Sequence, residues 1–220
     1  ASDDRRRQVR ATQGARAFWA SCALLRGGHP YLASHELDMT GCSGLRVDDD
    51  GWLVVPVMMG DKIMSVQRIA GDGEKRFWPG ASVKGGSYLV DRAEATVTVL
   101  CEGLATGLAI FAAVPVCAVV VAFDSGNLTR IKIKPKGLVC VGADNDHRTA
   151  ERLGHNPGLD AAKAAAERLG CGVSAPECAG SDWCDYRMES FAARKRALPA
   201  GARISEAGIR REVDAEIYRA

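Results

Sequence analysis

The 220-residue chain lacks several things that would settle its class at once. No apolar stretch approaches the ~20 residues of a membrane-spanning helix. The longest, Ala112 to Phe123, is interrupted by Pro115 and reads as a helix end followed by a strand. The opening residues are arginine-rich and carry no apolar signal core, which leads us to expect a cytoplasmic protein without a membrane partner. No internal repeat or low-complexity segment is present. Eight cysteines occur, yet no pair has C-x-x-C spacing, so a zinc site from Cys171, Cys178 and Cys184 is only weakly signalled. Cys101, Cys117 and Cys140 sit inside apolar runs, where cysteine acts as a small hydrophobe and fits a reducing compartment. Net charge is only +2. Basic character is therefore local, gathered in Arg5, Arg6, Arg7, Arg10 and Arg16 of a helical N-terminal arm; these form either a solvated face or a nucleic-acid contact.

What is present is ordinary globular material, 47% hydrophobic and 25% charged. Residues 3–26 read as a helix stopped by Gly27-Gly28. Residues 45–92 read as antiparallel β structure. There Trp52–Val57 and Ile63–Ile69 are strands, Gly71-Asp72-Gly73 is a turn, and Lys75–Trp78 and Ser87–Val90 are shorter strands. Met58, Met59 and Met64 are expected in the core. From residue 95 the texture changes to strand–helix alternation, the pattern of a parallel sheet. Strands are expected over 97–101, 117–122, 138–142 and 172–175. Helices are expected over 103–113, 159–169, 184–196 and 205–218.

Two of these strands end in acidic motifs. Val97–Cys101 runs into Glu102-Gly103, and Leu138–Gly142 runs into Ala143-Asp144-Asn145-Asp146. Open α/β sheets bind ligands at the carboxyl ends of their strands. Carboxylates gathered there repel one another unless a cation separates them, and a hard divalent ion such as Mg²⁺ suits oxygen ligands. Phosphate chemistry on nucleotides or nucleic acid is the leading expectation. A further acidic pair, Asp182 and Asp185, follows the last short strand. It serves equally well as helix cap and first-turn acid.

The ordered set, Glu102-Gly103, then Asp144-Asn145-Asp146, then Asp182 and Asp185, resembles the Toprim domain. DnaG-type primases, type IA and type II topoisomerases, OLD-type nucleases and RecR proteins share that domain. The upstream block resembles phage and plasmid primases of the same class. It is carried by His29-Pro30-Tyr31-Leu32, Gly51–Pro56, Ser65–Ile69, Asp72-Gly73-Glu74-Lys75-Arg76-Phe77 and Lys84-Gly85. Val119–Leu128 and Asn156-Pro157-Gly158 are similar to that family as well. Departures from its pattern are Thr106, where an additional acid is common, and Cys184, where asparagine is usual.

The resemblance implies an α/β chain in three parts: a small mixed α/β subdomain (1–94), a doubly wound Toprim domain around a central parallel sheet (95–186), and C-terminal helices (187–220). It implies a primase core that makes short primers on single-stranded DNA from nucleoside triphosphates with Mg²⁺ or Mn²⁺, working beside a replicative helicase. Glu102, Asp144 and Asp146 are then the catalytic residues, and with Asp182 and Asp185 the metal ligands. Lys75, Arg76, Lys84 and Arg148 would meet triphosphate or template phosphates. A Toprim nuclease and a non-catalytic single-strand-binding module are the competing expectations. A sugar-nucleotide transferase reading of the Asp-x-Asp comes third.

Overall fold

A computed structural model of the chain describes residues 2–145, 154–176, 182–197 and 206–219. The first sheet is antiparallel and follows chain order: β1 (Ala23–Leu24), β2 (Arg46–Val47), β3 (Leu53–Met59), β4 (Lys62–Ile69), β5 (Lys75–Phe77). Helix α1 (Ser2–Ser21) covers one face of it. There Phe18, Trp19 and Trp78 close over the buried Val54 and Val66. The short α2 (Pro30–Ser34) starts at His29, whose Nδ1 accepts the Tyr31 N–H at 3.2 Å and whose Nε2 lies 2.9 Å from the Gly51 carbonyl oxygen. An acceptor at Nδ1 leaves the proton on Nε2, which donates to Gly51. The expected strands at 52–57 and 63–69 are therefore present. The methionines mark a difference: Met59 is 45% exposed, because it lies at the hairpin tip beside the Gly60 turn.

The second sheet has the order β10-β9-β7-β8-β6, built from β6 (Tyr88–Val90), β7 (Val97–Cys101), β8 (Cys117–Val121), β9 (Leu138–Gly142) and β10 (Gly172–Ser174). Strands β8, β7, β9 and β10 are parallel. β6 adds antiparallel to β8, with Tyr88 opposite Val121. The stretch before residue 94 thus supplies the edge of the second sheet.

The central strands are apolar on both faces, so both faces must be covered. On one side lie α3 (Leu104–Ala113), α6 (Trp183–Ala197) and α7 (Glu206–Arg219). On the other lie α4 (Ser125–Leu128) and α5 (Pro157–Leu169), whose Ala162, Ala165 and Ala166 pack on Leu100, Val120 and Val141. Gly107 lets α3 lie close: a Cβ there would come within 3.0 Å of Cys101 Sγ and of Val121 Cγ2. α7 is fixed to α6 by the Arg187 Nε to Asp214 Oδ1 bond at 2.6 Å, with Val213 and Ile217 buried. A single apolar core joins the sheets, holding Leu53, Val55 and Ile69 of the first with Val99, Leu104, Phe111 and Val121. No described helix is long and apolar enough to cross a membrane.

Candidate active site

Register brings the acidic motifs together. Cys101 stands opposite Gly142 on one side and Val121 on the other, so β7, β8 and β9 end level. The next residues, Glu102, Ala122–Asp124 and Ala143–Asp144, share the carboxyl edge. Asp182 reaches the same point from the start of α6. The link is Thr106, 1% exposed in the first turn of α3. Its hydroxyl lies 3.1 Å from Asp144 Oδ1 and 3.2 Å from Asp182 Oδ2. A hydroxyl has one hydrogen to give, so two carboxylates converge on one donor. The second Asp182 oxygen, Oδ1, accepts the Asp185 N–H at 2.8 Å and caps α6. Asp182 is therefore both helix cap and member of the cluster.

Electrostatics follow from this crowding. Burial, then the charges of Asp182 and Glu102, push Asp144 up to about 7; Thr106 and Lys75 pull the other way. Asp185 is also raised, by burial and then by Asp182, but its other charged neighbours are Glu189 and His35. The first turn of α5 closes another side. Asn156 Oδ1 accepts the Leu159 N–H at 3.1 Å, and a Cβ on Gly158 would stand 4.0 Å from Glu102 Oε2. A helix N-terminus, the positive end of its dipole, thus borders Glu102.

The first sheet contributes Lys75, whose Nζ is 5.9 Å from the ring of the buried Tyr31. The Tyr31 hydroxyl has no hydrogen-bond partner among the described residues. Burial, then Cys184 and Asp182, raise its pKa. Arg76 points to the opposite face of β5, where it pairs with Glu74 and sits 5.2 Å from the Trp52 ring centre. It is not brought to the acidic edge. Lys84 lies in a loop clasped by Asn127 of α4. That side chain accepts the Gly85 N–H at 2.7 Å and donates to the carbonyls of Gly86 and Ala122, each at 2.8 Å. Asp146 and Arg148 lie outside the described residues, as does Cys178.

Motif reading gave no role to Thr106, which entered only as a departure from the family's pattern, or to Asn127. Thr106 had a signal, since it is four residues beyond Glu102 on the following helix. Asn127 had none for its clasp, because the backbone groups of Gly85 and Gly86 that it holds are about forty residues away.

Among the described residues no three His, Cys, Asp or Glu side chains form a ready metal site. The donor chemistry nevertheless suits a hard divalent cation: clustered carboxylate oxygens, one held far above its ordinary pKa, beside a buried phenol hydroxyl without a partner.

A doubly wound α/β sheet that gathers carboxylates at its carboxyl edge is built for binding charged ligands there. Residues 97–193 match the Toprim domain family. The chain is 32% identical over 153 residues to the DNA primase TraC of Escherichia coli, an alignment covering 64% of this chain and 10% of that protein. It thus spans about a tenth of that relative's length. Among solved structures it is similar to the primase fragment of the bacteriophage T7 primase-helicase protein. That match has 12% identity and a TM-score of 0.45, covering 81% of this chain and 79% of the other. It is also similar to the DnaG primase catalytic domain bound to ssDNA, with 14% identity, a TM-score of 0.44, and 90% and 84% coverage.

Proposed function

We propose that this chain is a primase catalytic core that joins nucleoside triphosphates on a single-stranded DNA template. The observation that carries the reading is the convergence of Glu102, Asp144 and Asp182 from three separate elements, with Lys75 facing them from the first sheet. In this reading residues 1–94 hold template and nucleotide, 95–186 carry the chemistry, and 187–220 support the cluster through α6 and α7. The working compartment is the cytoplasm, and a replicative helicase is the natural partner.

A divalent ion, Mg²⁺ or Mn²⁺, held by Glu102, Asp144, Asp146, Asp182 and Asp185, would neutralise phosphate charge and lower the pKa of the attacking 3′ hydroxyl. The protein groups have their own tasks. Thr106 keeps the carboxyl groups of Asp144 and Asp182 within reach of one point. Glu102, beside the N-terminus of α5, serves as ligand or as general acid/base at the reacting phosphate. Lys75 offsets phosphate charge from across the seam, with Lys84 and Arg148 as further phosphate contacts.

The test is primer synthesis on single-stranded DNA with labelled triphosphates and Mg²⁺ or Mn²⁺, beside an Asp144→Ala/Asp146→Ala double variant. Short products from the parent and none from the folded variant are expected. Template cleavage in place of synthesis would replace the proposal with a nuclease. Metal-indifferent strand binding without synthesis would replace it with a binding module.

A further inference from the structure

The strand that delivers Lys75 also delivers an exposed aromatic ring. Lys75 and Phe77 are two residues apart on β5, so both project from the same face. Register identifies that face. Phe77 stands opposite Gln67, which stands opposite Val55, and Lys75 stands opposite Ile69, which stands opposite Leu53. Val55, Ile69 and Leu53 are wholly buried in the core shared with the Toprim sheet. Lys75 and Phe77 are the ends of these rows, and they overhang the seam between the sheets.

Phe77 is 36% exposed there, which leaves part of its ring open to a ligand. One edge is fixed. The ring packs T-shaped on Phe123, with centres 6.1 Å apart and planes at 78°. Phe123 follows β8 and is 8% exposed, with φ at +72°, a left-handed conformation costly for a bulky side chain. It is held there by its N–H, which donates to the Glu102 carbonyl at 2.8 Å. The backbone of the candidate catalytic glutamate therefore props a strained phenylalanine, and that phenylalanine props an exposed one.

We propose that Phe77 is a stacking platform for a nucleobase at the mouth of the acidic site, with Lys75 meeting the phosphate of the same nucleotide. The proposal rests on the primase reading and deepens it by assigning a base-binding subsite. Stacking on an aromatic ring is tolerant of base identity, which suits a site that must accept any template. The base belongs either to the strand or to the incoming triphosphate.

The experiment measures binding with Mg²⁺ present for the parent chain and for Phe77→Leu, Phe77→Tyr and Phe77→Trp. Leucine keeps the apolar contact with Phe123 and removes the π face; tyrosine and tryptophan keep the face. One arm uses a labelled oligothymidylate beside an abasic strand of equal length. The other uses ATP beside inorganic triphosphate. We expect the parent to prefer the base-bearing ligand in one arm, and Phe77→Leu to lose roughly 5- to 100-fold of affinity for it. The base-free ligand should be unaffected, and tyrosine or tryptophan should restore the preference. The affected arm names the source of the base. Leucine equal to the parent in both arms, with the parent binding, overturns the platform while leaving the primase reading intact. A folded parent that binds neither strand nor triphosphate overturns both.

Discussion

Asp144→Asn should make the metal-free protein more stable while abolishing its activity. The reason is the crowding around Thr106. Asp144 sits at about 7 instead of its ordinary 3.8, chiefly because of burial and then because of Asp182 and Glu102. At ~1.36 kcal/mol per pH unit, keeping it ionised in the fold costs roughly 4 kcal/mol. The sign is that of a carboxyl group with a raised folded-state pKa. Its favourable contribution is complete below about pH 4 and is lost as pH rises through about 7. Asparagine removes the charge but keeps an oxygen for Thr106. It adds an amide that must find its own partners, at a cost of ~1–3 kcal/mol. A net gain of about 1–3 kcal/mol at pH 8 is expected, or a rise of ~3–10 °C in Tm for a chain of this size. Urea unfolding in EDTA, from pH 4 to pH 8, would measure it. The variant should be less stable than the parent by about 1–3 kcal/mol at pH 4 and more stable above pH 7, and Mg²⁺ should narrow the high-pH gap by stabilising only the parent. Parallel curves across the range would refute the reasoning, since the carboxylate cluster would then carry no stored repulsion.

Three further outcomes follow from the same geometry. Thr106→Val removes the shared donor and should lower primer synthesis about tenfold or more, as expected for a lost hydrogen bond to a charged group; a metal titration should show weaker Mg²⁺ dependence at the same time. Lys75→Ala should weaken strand binding and make the slope of log affinity against log salt shallower by about 0.7, whereas Arg76→Ala, facing the other way, should leave that slope nearly unchanged; equal effects would show that both contact phosphate. Asn127→Ala leaves the buried groups of Gly85, Gly86 and Ala122 without partners. It should cost about 2–4 kcal/mol in urea unfolding, and a loss under about 1 kcal/mol would mean that water replaces the clasp.

The sheet strands were legible because their signal is local. Runs such as Cys117–Val121 are too short for core helices and too apolar for anything but a strand buried on both faces. The convergence of Glu102 with the Asp144 motif was legible for a related reason: both acids end apolar runs of equal length, and parallel strands in register must deliver them together. Thr106 as a bridge was not legible. Its role depends on how close α3 lies to β7, which Gly107 sets, and on where α6 begins. The exposure of Phe77 was equally hidden, since strand periodicity shows that Lys75 and Phe77 share a face but not which sheet that face meets. Asp182 shows why helix cap and cluster member could not be separated in advance: one oxygen caps α6 and the other meets Thr106.

The antiparallel pairing of β6 with β8 has a practical consequence for dissecting the chain. A fragment beginning at residue 95 contains the whole match to the Toprim family, and would look like a natural unit for expression. It would also bare one side of β8, a strand of Cys117, Ala118 and three valines with no charge or proline to deter pairing. Such an edge recruits the next copy of itself. The amino-terminal part thus covers the edge of the second sheet, and a fragment meant to isolate that sheet should keep Tyr88–Val90 to stay in solution.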